Sequence, residues 1–276
     1  MDAVVNGTRL FYNRIGRGQP MLMMHGGLGM DHTLLRSHDP LADRVELVYY
    51  DHRSHGRSDR ASPASFRLSD LHDDAASLLT QLECPRAVIY GHSYGAWLAL
   101  GFALRYPDRT AALVLCGGAA VFDYAEVALA NAQRRNPGLT AELIEALSTP
   151  PATDAAYRDM FSRIQPLYFH RFEERYRTAF ADIQFSTSAY AVGAAQLATL
   201  NMIDQVESLR CPVLLIVGDD DFITPAAQSY RIAERAADAE VVEVASCGHF
   251  PFLERPTEYM SALRGWIDRR LSTSGR

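Results

Sequence analysis

The sequence predicts an α/β protein, in which helices cover both faces of a mostly parallel sheet and a helical insertion interrupts the chain. Two observations predict this class. Short, continuously apolar runs alternate with segments of helical periodicity, as expected for strands that are covered on both faces. These runs cease between residues 122 and 206 and then return. With 276 residues, 48% of them apolar, the chain is long enough to bury a large core.

Seven runs are predicted to be strands because they are short, apolar and bounded by turn-forming residues. The first run contains Asn6-Gly7, so we expect an edge strand or a hairpin there. The seven runs cover residues 4–13, 20–25, 45–50, 87–90, 111–116, 212–217 and 241–245.

Four segments between or after these strands are predicted to be helices. From Ser69 onward, apolar residues recur at helical spacing, and Ser69 is the expected N-cap residue before three aspartates. Residues 96–106 are apolar on nearly all sides, which is typical of a helix buried beneath a sheet. Residues 226–237 and 257–271 are amphipathic and complete the alternation.

Residues 122–206 differ from the rest of the chain. They are helical in composition, rich in aromatic residues and interrupted by prolines. We therefore predict one α/β core domain formed by residues 1–121 and 207–276, with a helical cap (or lid) formed by residues 122–206 inserted into it.

Charge and composition exclude several classes of protein. The net charge of −6 and the absence of a basic stripe argue against nucleic acid as a partner. The first residues are too polar for a signal peptide and no apolar run is long enough to span a bilayer, so we expect a cytoplasmic protein without a membrane partner. The four cysteines lack C-x-x-C spacing and are expected to be reduced, small apolar residues. No feature of the sequence bears on oligomeric state.

The strongest chemical signal is the sequence Gly91-His92-Ser93-Tyr94-Gly95, which directly follows a predicted strand and precedes an Ala/Leu-rich helix. A serine at such a sharp turn presents its hydroxyl at the carboxyl end of the sheet, and the neighbouring glycines permit close approach of the backbone. We therefore predict Ser93 to be a nucleophile; a glycine-rich turn with an incidental serine is the alternative.

A serine nucleophile needs a base that takes its proton. Of the nine histidines, His249 is the one placed after the last predicted strand, on a loop beside Gly248. We predict that His249 is this base. His25 and His92 flank glycine turns and are expected to orient the backbone instead.

The acid that orients the base is expected after a strand between Ser93 and His249. Asp219, Asp220 and Asp221 follow the strand at residues 212–217, and Asp221 is preferred because it stands clear of the strand end. The other two aspartates are expected to be solvated. Three adjacent carboxylates make a poor metal site, because neighbouring side chains diverge.

If Ser93 attacks a carbonyl group, the reaction also needs donors for the oxyanion that develops on that carbonyl, each worth about 3 kcal/mol. The backbone N–H of Tyr94 is one candidate. The other is Gly27, in the glycine-rich loop after an early strand. That loop lacks the G-x-G-x-x-G spacing of a dinucleotide site, so we expect no cofactor.

Taken together, these residues resemble the α/β-hydrolase superfamily over nearly the whole chain, and the order Ser, Asp, His along the chain is the one typical of it. Within the superfamily the chain looks most similar to the proline iminopeptidase branch. A proline often stands in that branch where Leu28 is found here, and glutamine and glycine where His52 and Ser54 are found. The similar motifs are His25-Gly26-Gly27-x-Gly29, Asp51-His52-Arg53-Ser54-His55-Gly56-Arg57-Ser58 and the sequence around Ser93.

The turn formed by residues 51–58 is expected to support the glycine-rich loop through Arg53 and Ser58. Candidate contacts with the substrate are Leu28 and an aromatic stripe that includes Phe169 and Phe172. The stripe at helical spacing continues through Tyr176 and Phe180, and it fits packing of the cap against the core as well as a substrate site.

An aminopeptidase must bind a free α-ammonium group, for which Glu173 and its neighbour Glu174 are candidates. They equally fit a solvated helix face. Three functions therefore remain open: hydrolysis of a small carboxylic ester or lactone through an acyl-serine intermediate, release of N-terminal proline from short peptides, and binding of a ligand with slow hydrolysis.

Overall fold

The computed structural model describes residues 1–61, 67–149 and 151–271. Residue 150, in the predicted insertion, therefore lies outside the described part. Within it the chain forms an eight-stranded sheet in the order β1-β2-β4-β3-β5-β6-β7-β8. The strands are β1 (Asp2–Val5), β2 (Thr8–Ile15), β3 (Pro20–Met24), β4 (Glu46–Tyr50), β5 (Ala87–His92), β6 (Thr110–Cys116), β7 (Val213–Gly218) and β8 (Ala239–Val244).

The sheet is parallel from β4 to β8, and the antiparallel hairpin β1–β2 extends one edge. Val5 pairs with Thr8, so the hairpin turns through two residues. Asn6 and Gly7 both have positive φ, 46° and 74°, as the tight turn requires. The predicted α/β class is confirmed, and each predicted strand is present to within a few residues.

Helices cover both faces of the sheet, and a 3-10 helix of 12 residues, His32–Asp43, follows β3. One detail of the prediction was wrong: α1 is capped by Arg67, not Ser69, because Asp70 accepts a hydrogen bond from the Arg67 backbone N–H at 2.6 Å. The helices of the sheet layers are α1 (Leu68–Gln81), α2 (Tyr94–Arg105), α7 (Ala226–Ala233), α8 (Pro251–Glu254) and α9 (Pro256–Leu271).

The core lies in two apolar clusters, one on each face of the sheet. Alternation along β3 shows the division: Leu22 and Met24 belong to one cluster, and Met21 and Met23 to the other. All four side chains are fully buried. A strand with two buried faces needs apolar residues at every position, which is why its sequence is continuously apolar.

Between β6 and β7 the described chain is helical, in the stretch predicted to be a cap. The chain leaves and rejoins the sheet layers at one place, where Val121 bridges Asn201 and the Met202 N–H donates to the Ala120 carbonyl at 2.7 Å. The elements are α3 (Ala125–Arg135), α4 (Pro137–Ser148), α5 (Asp154–Ile164), α6 (Thr187–Leu197) and the 3-10 helices Gln165–Tyr168, Glu174–Phe180 and Ile203–Ser208.

Two further features concern the whole described chain. No helix in it combines the length and the hydropathy needed to cross a bilayer. The four cysteines, all within the described residues, are free and buried, as expected of small apolar side chains. They are Cys84, Cys116, Cys211 and Cys247.

Candidate active site

Ser93 occupies the turn between β5 and α2, at the carboxyl end of the sheet. Its backbone is left-handed, with φ 54° and ψ −120°, and its N–H is held by the Cys116 carbonyl at 2.9 Å. Such a conformation is costly for a residue with a side chain and persists only where the surroundings fix it. Gly95 allows the tight turn, because a Cβ there would lie 2.0 Å from the Met24 carbonyl oxygen of β3. The serine hydroxyl is thereby fixed at the edge of a cavity.

His249 lies on the loop between β8 and α8 and is buried. Its Nδ1 is 2.7 Å from Oδ2 of Asp221. Its backbone is held on both sides: the N–H donates to the Tyr168 carbonyl at 2.7 Å, and the carbonyl accepts from Nε2 of His92 at 3.0 Å. With Nδ1 engaged by a carboxylate, Nε2 is the ring nitrogen left to exchange a proton.

Asp221 follows β7, and its second carboxylate oxygen accepts hydrogen bonds from the N–H groups of Ile223 and Thr224, at 3.0 and 2.9 Å. These bonds fix the carboxylate against His249. The neighbouring aspartates point elsewhere: Asp219 accepts from the Cys247 N–H, and Asp220 is half exposed. Among the described residues no group of three or more potential ligands is arranged to hold a metal ion.

Ser93 and His249 line the same cavity. In the part of the chain that is described, the serine hydroxyl donates no hydrogen bond to His249 or to any other group. In free enzymes such a contact is often long and tightens once substrate is bound.

Two backbone N–H groups beside Ser93 have no acceptor within the described chain. They belong to Gly27 and Tyr94, and both residues line the cavity. Tyr94 is the first residue of α2, where an N–H has no partner inside the helix and attracts negative charge. Unpaired donors of this kind suit an oxyanion.

The loop of residues 25–29 is held from both the sheet and the helical region. On the sheet side, the His52 N–H donates to Nε2 of His25 at 3.2 Å. On the other side, the hydroxyl of Tyr157 donates to the Leu28 carbonyl, and the Ser186 N–H donates to the Gly29 carbonyl at 2.7 Å. The position of Gly27 therefore depends on both layers.

We expected Arg53 and Ser58 to support the loop of residues 25–29, but both side chains form their hydrogen bonds elsewhere. Arg53 forms a two-point ion pair with Asp74 of α1, at 2.7 and 2.8 Å. The hydroxyl of Ser58 donates to the Asp51 carbonyl and accepts from the Phe11 N–H of β2. The contact with the loop comes from His52 of the same turn. The sequence alone does not show which residues of a turn contact a neighbouring loop.

A family model described as "alpha/beta hydrolase fold" matches residues 19–256. The chain belongs to the α/β-hydrolase fold family. It is 24% identical to the proline iminopeptidase PfmaB of Pestalotiopsis fici over 277 residues, which covers 96% of this chain and 98% of that relative. Its fold is similar to that of a thermophilic esterase from Thermogutta terrifontis, with a TM-score of 0.75, 24% identity and coverage of 97% and 96%. An enol-lactonase from Burkholderia xenovorans LB400 superposes with a TM-score of 0.73, 24% identity and coverage of 97% and 99%.

In this α/β-hydrolase the cavity has a volume of about 190 Å³. A cavity of about 150 Å³ holds benzene, so the space accommodates a somewhat larger group. Its lining is dominated by aromatic and aliphatic side chains, with Asp31 as the one carboxylate among the described residues. Asp31 is itself engaged: it caps the 3-10 helix at Thr33 and accepts from the Gln184 N–H. Burial raises the pKa of Asp31, with a further contribution from nearby Asp51.

The predicted substrate contacts divide into two groups. Leu28 lines the cavity, whereas Phe169, Phe172 and Glu173 lie outside its lining. Phe169 is buried in the core, where its ring stacks on Tyr176 at 4.5 Å. Glu173 pairs with an arginine at the surface. The helical spacing of the aromatic stripe was also misleading, since residues 169–173 are not helical and a 3-10 helix follows.

The cavity residues contributed by α5 were missed, although the sequence carries a signal for them. Tyr157, Met160, Phe161 and Ile164 recur at i, i+3, i+4 and i+7, which marks one face of a helix. All four are buried and line the cavity. Periodicity finds such a face, but it does not tell whether the face covers the core or a ligand.

Replacing Gly29 with alanine tests the fit between the loop and the helical region. A Cβ at Gly29 would lie 2.1 Å from the Ser186 carbonyl oxygen, whereas a Cβ at Gly7 meets no atom within 4 Å. Both glycines have positive φ, so each alanine adds about 1 kcal/mol of backbone strain. Gly29→Ala should cost a further 1–3 kcal/mol or so through the clash, and should slow turnover roughly tenfold as Gly27 is displaced.

Urea unfolding and ester hydrolysis of the two variants provide the measurement, with Gly7→Ala as the matched control. Equal losses of stability in the two variants, with unchanged turnover, would show that the loop tolerates displacement.

Proposed function

We propose that this α/β-hydrolase cleaves a small, apolar carboxylic ester or lactone through an acyl intermediate on Ser93. The observation that supports this most directly is the 2.7 Å contact between Asp221 and His249, beside a cavity that Ser93 also lines. In this proposal Ser93 is the nucleophile, His249 the base and Asp221 the acid that orients it, and the N–H groups of Gly27 and Tyr94 bind the oxyanion.

In the acylation step, Oγ of Ser93 attacks the carbonyl carbon of the ester, and its proton passes to Nε2 of His249. The carbonyl oxygen becomes an oxyanion, which the N–H groups of Gly27 and Tyr94 bind. Asp221 holds the ring in the tautomer that accepts the proton and stabilises the resulting imidazolium. The carbon–oxygen bond to the alcohol then breaks, and the alcohol leaves with the proton from His249.

In the deacylation step, water attacks the acyl carbon and gives a proton to His249. The bond between Oγ and the acyl carbon breaks, and Ser93 regains its proton from the imidazolium. The products are the free alcohol and the carboxylic acid, and no external reductant, oxidant or cofactor enters the balance.

The lining of the cavity favours an uncharged, apolar substrate. Apolar surface removed from water contributes about 25 cal/mol per Å², so aromatic walls bind an apolar acyl or alcohol group well. Release of N-terminal proline, the second candidate, rests on the similarity to a proline iminopeptidase. That reaction needs an anion near the α-ammonium group. Glu173 and Glu174 pair with Arg175 and Arg177 at the surface, away from the cavity.

A panel of p-nitrophenyl esters and proline p-nitroanilide separates the two activities. We expect kcat/KM for p-nitrophenyl butyrate to exceed that for the anilide by at least about a hundredfold, because an unpaired ammonium group is costly to desolvate. Asp31→Asn is the informative variant, because among the described residues Asp31 is the carboxylate that lines the cavity. It should leave ester turnover within about threefold of the wild type.

Preference for the anilide, lost in Asp31→Asn, would instead support the aminopeptidase. The third candidate, a receptor that binds its ligand with slow hydrolysis, predicts a single turnover with no sustained release of p-nitrophenol from any ester.

A further inference from the structure

Residues 167–171, in the helical region, run alongside the loop that carries His249. The two stretches are joined directly by the hydrogen bond from the His249 N–H to the Tyr168 carbonyl, at 2.7 Å. The backbone position of His249 therefore depends on a segment that belongs to another layer of the molecule. Two charged side chains hold this segment of residues 167–171, one through its N–H groups and the other through its carbonyls.

Glu254, in α8, holds the segment from the side of the His249 loop. Its carboxylate is buried and accepts three backbone hydrogen bonds. Oε2 accepts from the Gly248 N–H at 2.8 Å and from the His170 N–H at 3.2 Å. Oε1 accepts from the Arg171 N–H at 2.8 Å. One carboxylate thus joins the residue before His249 to the segment that supports it.

Arg135, the last residue of α3, holds the same segment through its carbonyls. Its guanidinium donates to the carbonyls of Leu167, at 3.0 Å, and Phe169, which flank Tyr168. It also donates to the carbonyl of Asp220 and pairs with the Asp220 carboxylate, next to Asp221. The side chain is only 16% exposed, so the donors are well shielded from water.

We propose that Glu254 and Arg135 are positioning residues for His249 and Asp221, and that the helical region is thereby part of the catalytic framework. This inference rests on the proposed function. Neither side chain lines the cavity, so neither is placed to contact substrate. They act through the backbone: Glu254 fixes the loop of His249, and Arg135 fixes both the Tyr168 carbonyl and the turn of Asp221.

The energetic basis is the precision that proton transfer requires. A displacement of about 1 Å at a reacting group can slow a reaction about a hundredfold. Hydrogen bonds to a charged acceptor are stronger than neutral ones, and losing one leaves a buried N–H without a partner. A glutamine at position 254 has one acceptor oxygen where glutamate has two, so at least one of the three N–H groups loses its acceptor.

The test is Glu254→Gln, with Glu258→Gln as the matched control on the neighbouring helix, where the side chain is exposed. A fluorophosphonate reports on the activated serine: Oγ bonds to phosphorus, fluoride leaves, and the hydroxyl proton passes to His249. We expect the second-order labelling rate to fall at least about tenfold in Glu254→Gln and to stay within about twofold in Glu258→Gln. For an ester, kcat should fall and KM should stay within about twofold, because the cavity is unchanged.

Arg135→Lys is the second variant, and it provides the test if circular dichroism shows that Glu254→Gln does not fold. Lysine cannot donate to two carbonyls and to Asp220 in one planar arrangement, so labelling should again slow at least about fivefold. Folded variants that label at the wild-type rate would overturn this inference alone. A wild-type protein that does not react with the fluorophosphonate would overturn the proposed function itself.

Discussion

Ser93→Ala should lower the turnover of p-nitrophenyl butyrate by at least about a thousandfold and leave the fold intact. The substitution removes Oγ, the atom that forms the acyl bond, while the pair of Asp221 and His249 keeps its geometry. Residual hydrolysis would come from water activated by His249 and from the donors at Gly27 and Tyr94. Initial rates at saturating ester, with an active-site titration of the wild type, give the comparison.

Ser229→Ala is the matched control for that experiment. Ser229 lies in α7, is buried and has a hydroxyl without a hydrogen-bond partner among the described residues, but it does not line the cavity. The substitution removes the same atom from a serine outside the cavity, so the turnover of this variant should stay within about twofold of the wild type. If Ser93→Ala retained a tenth of the wild-type rate, another group would have to be the nucleophile.

The second large effect is a loss of stability in mild acid. Six buried histidines have pKa values lowered first of all by burial, which disfavours the charged ring, and the pKa values of three of them fall to about 4. The six are His25, His38, His52, His55, His72 and His92.

The sign of the effect follows from proton linkage. In the unfolded chain these rings titrate near pH 6.5, whereas in the folded chain they stay neutral until lower pH. Their contribution to stability is therefore complete above pH 6.5 and falls as the pH is lowered. As the pH falls from 6.5 to its folded pKa, each histidine lowers the free energy of unfolding by about 1 kcal/mol per pH unit. The six histidines together lower it by several kcal/mol per pH unit. The raised pKa of Asp31 has the opposite effect, because this carboxyl stabilises the folded state as the pH falls, but it is one group against six.

Urea unfolding at pH 7, 6 and 5 measures how the free energy of unfolding changes with pH. The variant His72→Leu lacks one of the six histidines and should show a smaller change. His72 packs against Gly101 of α2, away from the cavity, and its Nε2 has no hydrogen-bond partner among the described residues. The variant should lose about 1 kcal/mol per pH unit less than the wild type. A free energy of unfolding that is equal at pH 7 and pH 5 would contradict the predicted linkage.

Much of the framework of this site follows from local sequence. Continuous apolar runs predict buried parallel strands, and functional residues of such sheets gather where the strands end. Ser93 follows β5, Asp221 follows β7 and His249 follows β8. Their shared edge therefore places them near one another before any coordinates are known.

The residues that line the cavity were not predictable in the same way. Spacing in the sequence shows which residues share a face, but the neighbour of that face depends on packing between distant segments. Phe169 and Glu173 illustrate this: the first packs in the core and the second pairs at the surface. The roles inferred for Glu254 and Arg135 depend on backbone partners far away along the chain, and such contacts leave no local pattern.

The burial of all four cysteines has a practical consequence. Burial raises the pKa of every thiol, for Cys211 to about 11, so the reactive thiolate is scarce at neutral pH. We therefore expect maleimide dyes not to label the four native cysteines. A single new cysteine on an exposed position of α4 or α5 would then be the sole point of attachment for a fluorophore, and motion of these helices during turnover could be followed without first removing any natural residue.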